Sequence, residues 1–179
     1  GHWEIAKLSE QDSGGLPEDM WIGEPDSEGS VEWKRISSTV SDDDLDLLEQ
    51  ELKYSLPPLF RTYLSTAFIP DDPVWTLNNE ALYLPGMPSD NPLKNFRWLH
   101  SSCEPLLKAG YACFGSYVQE GCMLLLFDIF LVLPDGDYPV VFIDHEDLPD
   151  IEAIECYVFK ERTHALASSF RSLVFRIIA

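Results

Sequence analysis

Histidine stands among carboxylates at Asp144, His145, Glu146 and Asp147, a combination that could relay protons or hold a metal ion. In an extended chain, however, successive side chains alternate between faces, so Asp144 and Glu146 share one face and His145 turns to the other. That geometry favours solvated residues at a strand end over an acid–base pair. Asp42, Asp43 and Asp44 form a second acidic group. With Ser41 before them and an apolar stripe after them, they read as the first turn of a helix, where carboxylates satisfy free amides and complement the dipole. The four cysteines, at 103, 113, 122 and 156, are ten, nine and thirty-four positions apart and form no C-x-x-C pair. They lie in apolar stretches where a thiol is a poor nucleophile, which points to buried free thiols in a reducing compartment. The sequence has no G-x-S-x-G, H-E-x-x-H, P-loop or G-x-G-x-x-G motif, so no catalytic residue, cofactor site or metal site is expected.

The chain has 179 residues, 45% of them apolar and 24% charged, enough for one domain with an ordinary core. Twelve basic residues against 31 acidic ones give a net charge of −19. Binding to nucleic acid depends on Lys and Arg neutralising phosphates and is not expected here. A basic protein partner is, because a negative surface speeds encounter with positive molecules. The charge is uneven: residues 1–55 carry a net −11 and the remainder −8. The longest apolar run, Cys122 to Leu133, is twelve residues and includes Asp128, short of the roughly 20 that a membrane-spanning helix needs. No basic, then apolar leader is visible, so a cytoplasmic protein is expected. Gly1 and His2 read as a remnant of cloning or trimming and are set aside.

These residues need elements to position them. Residues 1–30 form an acidic, Gly- and Pro-rich arm, and Trp21 and Trp33 should hold its second half against a single domain at 31–179. Val31 to Ile36 reads as a strand. A helix is expected from Ser41 to about Tyr54, burying Leu45, Leu48 and Leu52. Pro57 and Pro58 stop it and start a second helix that buries Leu59, Phe60, Tyr63, Leu64 and Ala67 and closes at Pro70 to Pro73. A short strand at Val74 to Leu77 and a loop at Pro85 to Pro92 lead to a third helix with Leu93, Phe96, Leu99 and Cys103 on its stripe, kinked or split by Pro105. Tyr111 to Tyr117 and Cys122 to Asp128 form a hairpin, and Ile129 to Leu133 continues as strand or bulge. Strands follow at Tyr138 to Ile143 and Glu155 to Phe159. The closing helix carries Leu166, Phe170, Leu173, Val174 and Ile177, with Arg171 and Arg176 near its negative end. Helices, then antiparallel strands, then a closing helix make an α+β domain.

The segment Leu45 to Ala67, with Leu47, Glu49 and Leu52 leading to Leu56, Pro57, Phe60, Tyr63 and Leu64, resembles the helix–Leu-Pro–helix signature of the SMI1/KNR4 (SUKH) superfamily. Phe114 to Asp128 resembles that family's hairpin, Pro139 to His145 its Pro-Val strand ending near a His, and Ala167 to Leu173 its closing helix. The match spans 31–179. Ala67, Phe68 and Ile69 stand where the family often has a glycine, and Glu120 with Gly121 replaces its usual hairpin turn. The resemblance implies an antiparallel or mixed sheet packed with an N-terminal helix pair and a C-terminal helix. It also implies a non-enzymatic role. Bacterial members are immunity proteins that bind and neutralise a cognate toxin, often a nuclease; fungal relatives are regulators, so a regulatory or scaffolding interaction domain is the alternative.

Interfaces place large rings at their centres and steer charged partners with the residues around them. Three regions combine acidic and aromatic side chains: Asp71, Asp72 and Trp75; Asp90 near Trp98; and Asp144, Glu146 and Asp147 after an apolar strand. These are the candidate partner-binding residues.

Overall fold

Ser41 opens the first helix by a reciprocal cap. Its Oγ accepts from the Asp44 amide at 3.2 Å, and its own amide donates to the Asp44 carboxylate at 2.9 Å. The chain is seen in a computed structural model that describes residues 17–27, 31–69, 74–77, 80–118, 122–144 and 161–178. Helix α1 (Asp42–Leu52) buries Leu45, Leu48 and Leu52 as expected, and ends two residues earlier than expected because Lys53 adopts a left-handed conformation, φ 63°. Pro58 is the first residue of α2 (Pro58–Thr66), which buries Phe60 and Leu64 and leaves Leu59 and Tyr63 half-buried. Ala67 is not on this helix. It begins a strand, so the helix closes before the prolines expected to stop it.

Short strands frame this pair. β1 (Trp21–Ile22) and β2 (Glu32–Trp33) place Trp21 opposite Trp33, and Met20 just before them is buried in the main core, so part of the acidic arm does lie against the body. β3 (Ile36–Ser37) pairs with β4 (Ala67–Phe68). The single strand expected from Val31 to Ile36 is therefore broken at Lys34 and Arg35, each half having a different partner.

The main sheet contains β5 (Val74–Leu77), β6 (Glu80–Tyr83), β7 (Tyr111–Val118), β8 (Cys122–Asp128), β9 (Val140–Asp144) and β10 (His164–Ala167), six antiparallel strands in chain order. The fold is α+β. Side chains alternate cleanly across it. Ala112, Phe114, Leu125, Phe127, Val140 and Phe142 face the core built by α1 and α2, whereas Tyr111, Cys113, Leu126 and Ile143 face a second, smaller cluster. The register shifts between Cys113 and Gly115, a bulge after which Tyr117 returns to the larger core. Neither β6 nor β10 is expected from the sequence pattern, and the strand expected at Glu155 to Phe159 lies outside the described residues.

β6 pairs with β7 only at residues 116–118, so the first half of β7 has a ladder on one side alone. α3 (Lys94–Ser102) and α4 (Glu104–Lys108) pack along that half and split at Cys103, before Pro105. Covering an open strand in this way protects its backbone from other chains. Phe96 joins the larger core while Leu99, Cys103 and Leu106 join the smaller one.

The closing helix α5 (Phe170–Ile178) packs against both edge strands, β5 and β10, so the sheet curls toward it. Leu166 lies in β10, not in this helix, and Arg171 sits in the first turn, at the positive end, where Asp135 pairs with it at 3.2 Å. The helix starts late because the buried Asp137 carboxylate accepts from the amides of Phe170 at 3.2 Å and Arg171 at 2.9 Å. Ile129 to Leu133 is a turn instead of a continuing strand: the Ile129 amide makes the last ladder bond of the hairpin, to the Gly110 carbonyl at 3.0 Å, and the Leu131 amide then turns back to the Asp128 carbonyl at 3.2 Å. Among the described residues, no helix is long and apolar enough to cross a membrane.

Candidate partner-binding surface

The exposed aromatic best placed for contact is Trp98, on the outer side of α3 and 69% exposed. Its backbone is fixed although its ring is bare. Asn95 Nδ2 donates to the Gly86 carbonyl at 2.9 Å, Arg97 Nε pairs with Glu51 at 2.9 Å, and the hydroxyls of Ser101 and Ser102 both donate to the Trp98 carbonyl at 2.9 Å. The ring borders a groove of about 320 Å³ floored by Gly115 and Ser116 and walled by Tyr83, Leu84 and Pro85. The groove exists where β6 leaves β7. A side chain at Gly115 would meet the Tyr83 carbonyl oxygen, so the close approach of the two strands requires glycine there.

On the α1 side of α3 lies a second groove of about 260 Å³, lined by Asp44, Leu47, Glu51, Pro92 and Arg97 among others. Leu47 is 56% exposed. Asp90 is exposed on the turn leading to α3, next to Asn91, which lines this groove. The carboxylates of α1 are partly committed: Arg61 is held by Asp42 at 3.2 Å, Asp46 at 2.9 Å and Glu49 at 3.0 Å, and these contacts keep its guanidinium firmly protonated against the burial that opposes charge. The Ser41 cap holds the Asp44 carboxyl below its ordinary range. α1 thus presents acidic side chains with Leu47 bare among them, and α3, which carries Lys94 and Arg97 and no carboxylate, presents the bare Trp98.

The other expected residues lie elsewhere. Trp75 is half-buried, its ring edge-on to Tyr63 at 6.0 Å, in a cleft of about 240 Å³ between α2, β5 and α5. Asp144 is half-buried at the end of β9. It falls in one cross-strand row with Trp75, through Leu82, Tyr117 and Met123, four strand spacings of about 4.8 Å away along the sheet. The structure thus puts them on one face of the sheet without bringing them into contact. Asp71, Asp72, Glu146 and Asp147 lie outside the described residues, as does His145. Leu47 was missed as a candidate, although it falls off the buried stripe of Leu45, Leu48 and Leu52, which is the sequence signal of an apolar side chain turned outward.

No family model matches the chain, and no curated protein matches it.

Another group of titratable side chains, Tyr54, His100, Cys103 and Cys113, is enclosed. Tyr54 stacks on His100 at 5.5 Å, and neither the tyrosine hydroxyl nor the imidazole nitrogens meet hydrogen-bond geometry with another group among the described residues. Burial pushes the His100 pKa down, with a smaller opposing effect from the nearby Cys113 backbone, and pushes the Tyr54 phenol up. The Cys113 thiol, close to Cys103, lowers the Cys103 pKa. Among the described residues, no group of three or more His, Cys, Asp or Glu could hold a metal ion.

Proposed function

We propose that this chain is a non-catalytic binding protein for a basic protein partner, and that it acts in the cytoplasm as an immunity protein of the SMI1/KNR4 type, neutralising a cognate toxin by covering it. The observation that carries this reading is the acidic α1 with Leu47 bare upon it and Trp98 bare on the neighbouring α3, in a chain of net charge −19. Acidic side chains accelerate encounter with a cationic protein, and exposed rings supply the apolar contact that holds it. A nuclease must present positive charge to its substrate, so an inhibitor of such an enzyme gains from being acidic. The likeness of Leu45 to Leu64 to the helix–Leu-Pro–helix signature supports the same reading.

Co-expression tests it. If the product of the adjacent gene arrests growth, this chain should restore growth, and Trp98→Ala combined with Leu47→Ser should abolish the rescue while the variant stays folded. Binding to that product without any toxicity to relieve would favour a regulatory or scaffolding partner instead.

A further inference from the structure

Phe130, Leu131 and Val132 are 68%, 57% and 63% exposed although large, apolar and consecutive. Apolar patches of that kind on a folded surface mark contact sites. The turn that carries them is well tied. Beyond the Ile129 bond to Gly110, the Leu131 amide donates to Asp128 at 3.2 Å, Leu133 to Asp137 at 2.9 Å and Gly136 to Leu133 at 2.9 Å. The Phe130 ring rests on Gly110, whose φ of 86° suits glycine and where any Cβ would strike the ring. One face of the ring is therefore seated and the other is bare, an anchor ordered before contact, which reduces the entropy lost on binding.

We propose that this tip inserts into an apolar cleft on a basic protein partner. The proposal rests on the reading of the chain as a binder of a basic protein. The occupant follows from charge: the body carries a net −19, and beside the tip Asp128 is half-buried and Asp135 exposed, the latter paired with Arg171. A second copy would bring the same negative charge to the contact, and an anionic membrane would repel it likewise. An apolar cleft rimmed by Lys or Arg is complementary to both the rings and the field. The site is distinct from the Trp98 groove, since Phe130 sits at the Gly110 end of β7 and Trp98 at the Gly115 end.

The test pans a phage-displayed library of random dodecapeptides on the full chain. Enriched peptides should combine apolar residues with Lys or Arg, should bind Phe130→Ser/Leu131→Ser at least about tenfold more weakly, and should bind a control at another exposed ring, Phe175→Ser on α5, as well as the unaltered chain. Circular dichroism should show both variants folded, because the substituted side chains are exposed. Basic peptides that bind the tip variant undiminished, or no enrichment at all, overturn the tip's role and leave the proposed function standing. Peptides that need the tip but lack Lys and Arg overturn the basic partner here and under the proposed function alike. A dimer in sedimentation equilibrium that the tip substitutions dissolve would make the occupant a second copy, and tip-dependent flotation with phosphatidylcholine–phosphatidylglycerol vesicles would make it a membrane; either result overturns the proposal.

Discussion

His100 is buried with its ring 5.5 Å from those of Tyr54 and Phe96, and that burial holds its pKa below the ordinary value. The sign follows directly. Below about pH 6.5 the unfolded chain takes up a proton that the native chain refuses, so stability falls as the pH drops through that point. The urea midpoint of the unaltered chain should fall between pH 7.5 and 5.5, and His100→Phe should lose that part of the slope; identical slopes would show that His100 does not titrate against the fold. Phe60 has the opposite character, an apolar centre whose ring lies 5.4 to 5.9 Å from those of Tyr63, Phe96, Phe114, Phe127 and Phe170. Phe60→Ala should cost about 3 to 5 kcal/mol, and Leu48→Ala or Leu64→Ala about 2 to 5, by denaturant titration. Asp137→Ala strands the amide of Arg171, while that of Phe170 keeps the Tyr138 carbonyl at 3.1 Å, and should cost about 1 to 3 kcal/mol; a loss confined to the closing helix would appear as faster amide exchange there.

Elements with local punctuation were legible in the sequence. Ser41 and its three aspartates announce α1, Pro57 and Pro58 separate it from α2, and the alternation from Tyr111 to Asp128 announces the hairpin. Elements set by distant contacts were not. Leu166 sits at helical spacing from Phe170, yet the helix starts only where Asp137, 33 residues earlier in the chain, meets the Phe170 amide. Phe130 to Val132 read as strand because they are apolar, yet the chain bends there, the Leu131 amide turning back to the Asp128 carbonyl, and apolar content alone does not announce that bend. The candidate surface was legible in part: Trp98 and Asp90 stand exposed as expected, whereas the groove beside Trp98 depends on the bulge at Gly115. Gly115→Ala should push β6 from β7 and reshape that groove, seen as a lowered melting temperature together with a changed Trp98 fluorescence.

For the whole molecule the controlling quantity is a net charge of −19, most concentrated in the first 55 residues. Exposed charges act through a field that salt screens over about 10 Å at 0.1 M, so their substitution should alter association far more than dissociation. Asp43→Asn with Asp90→Asn should slow binding to a cationic partner at low salt and flatten the salt dependence, with the unfolding midpoint little changed; stopped-flow rates at two ionic strengths check this. The most direct measurement is a calorimetric titration of the adjacent gene's product with the purified chain. Saturable binding at a fixed stoichiometry, weakened as salt is raised, is the predicted result. Absence of any complex at low salt with a folded, basic, toxic product would contradict a binding protein that neutralises it.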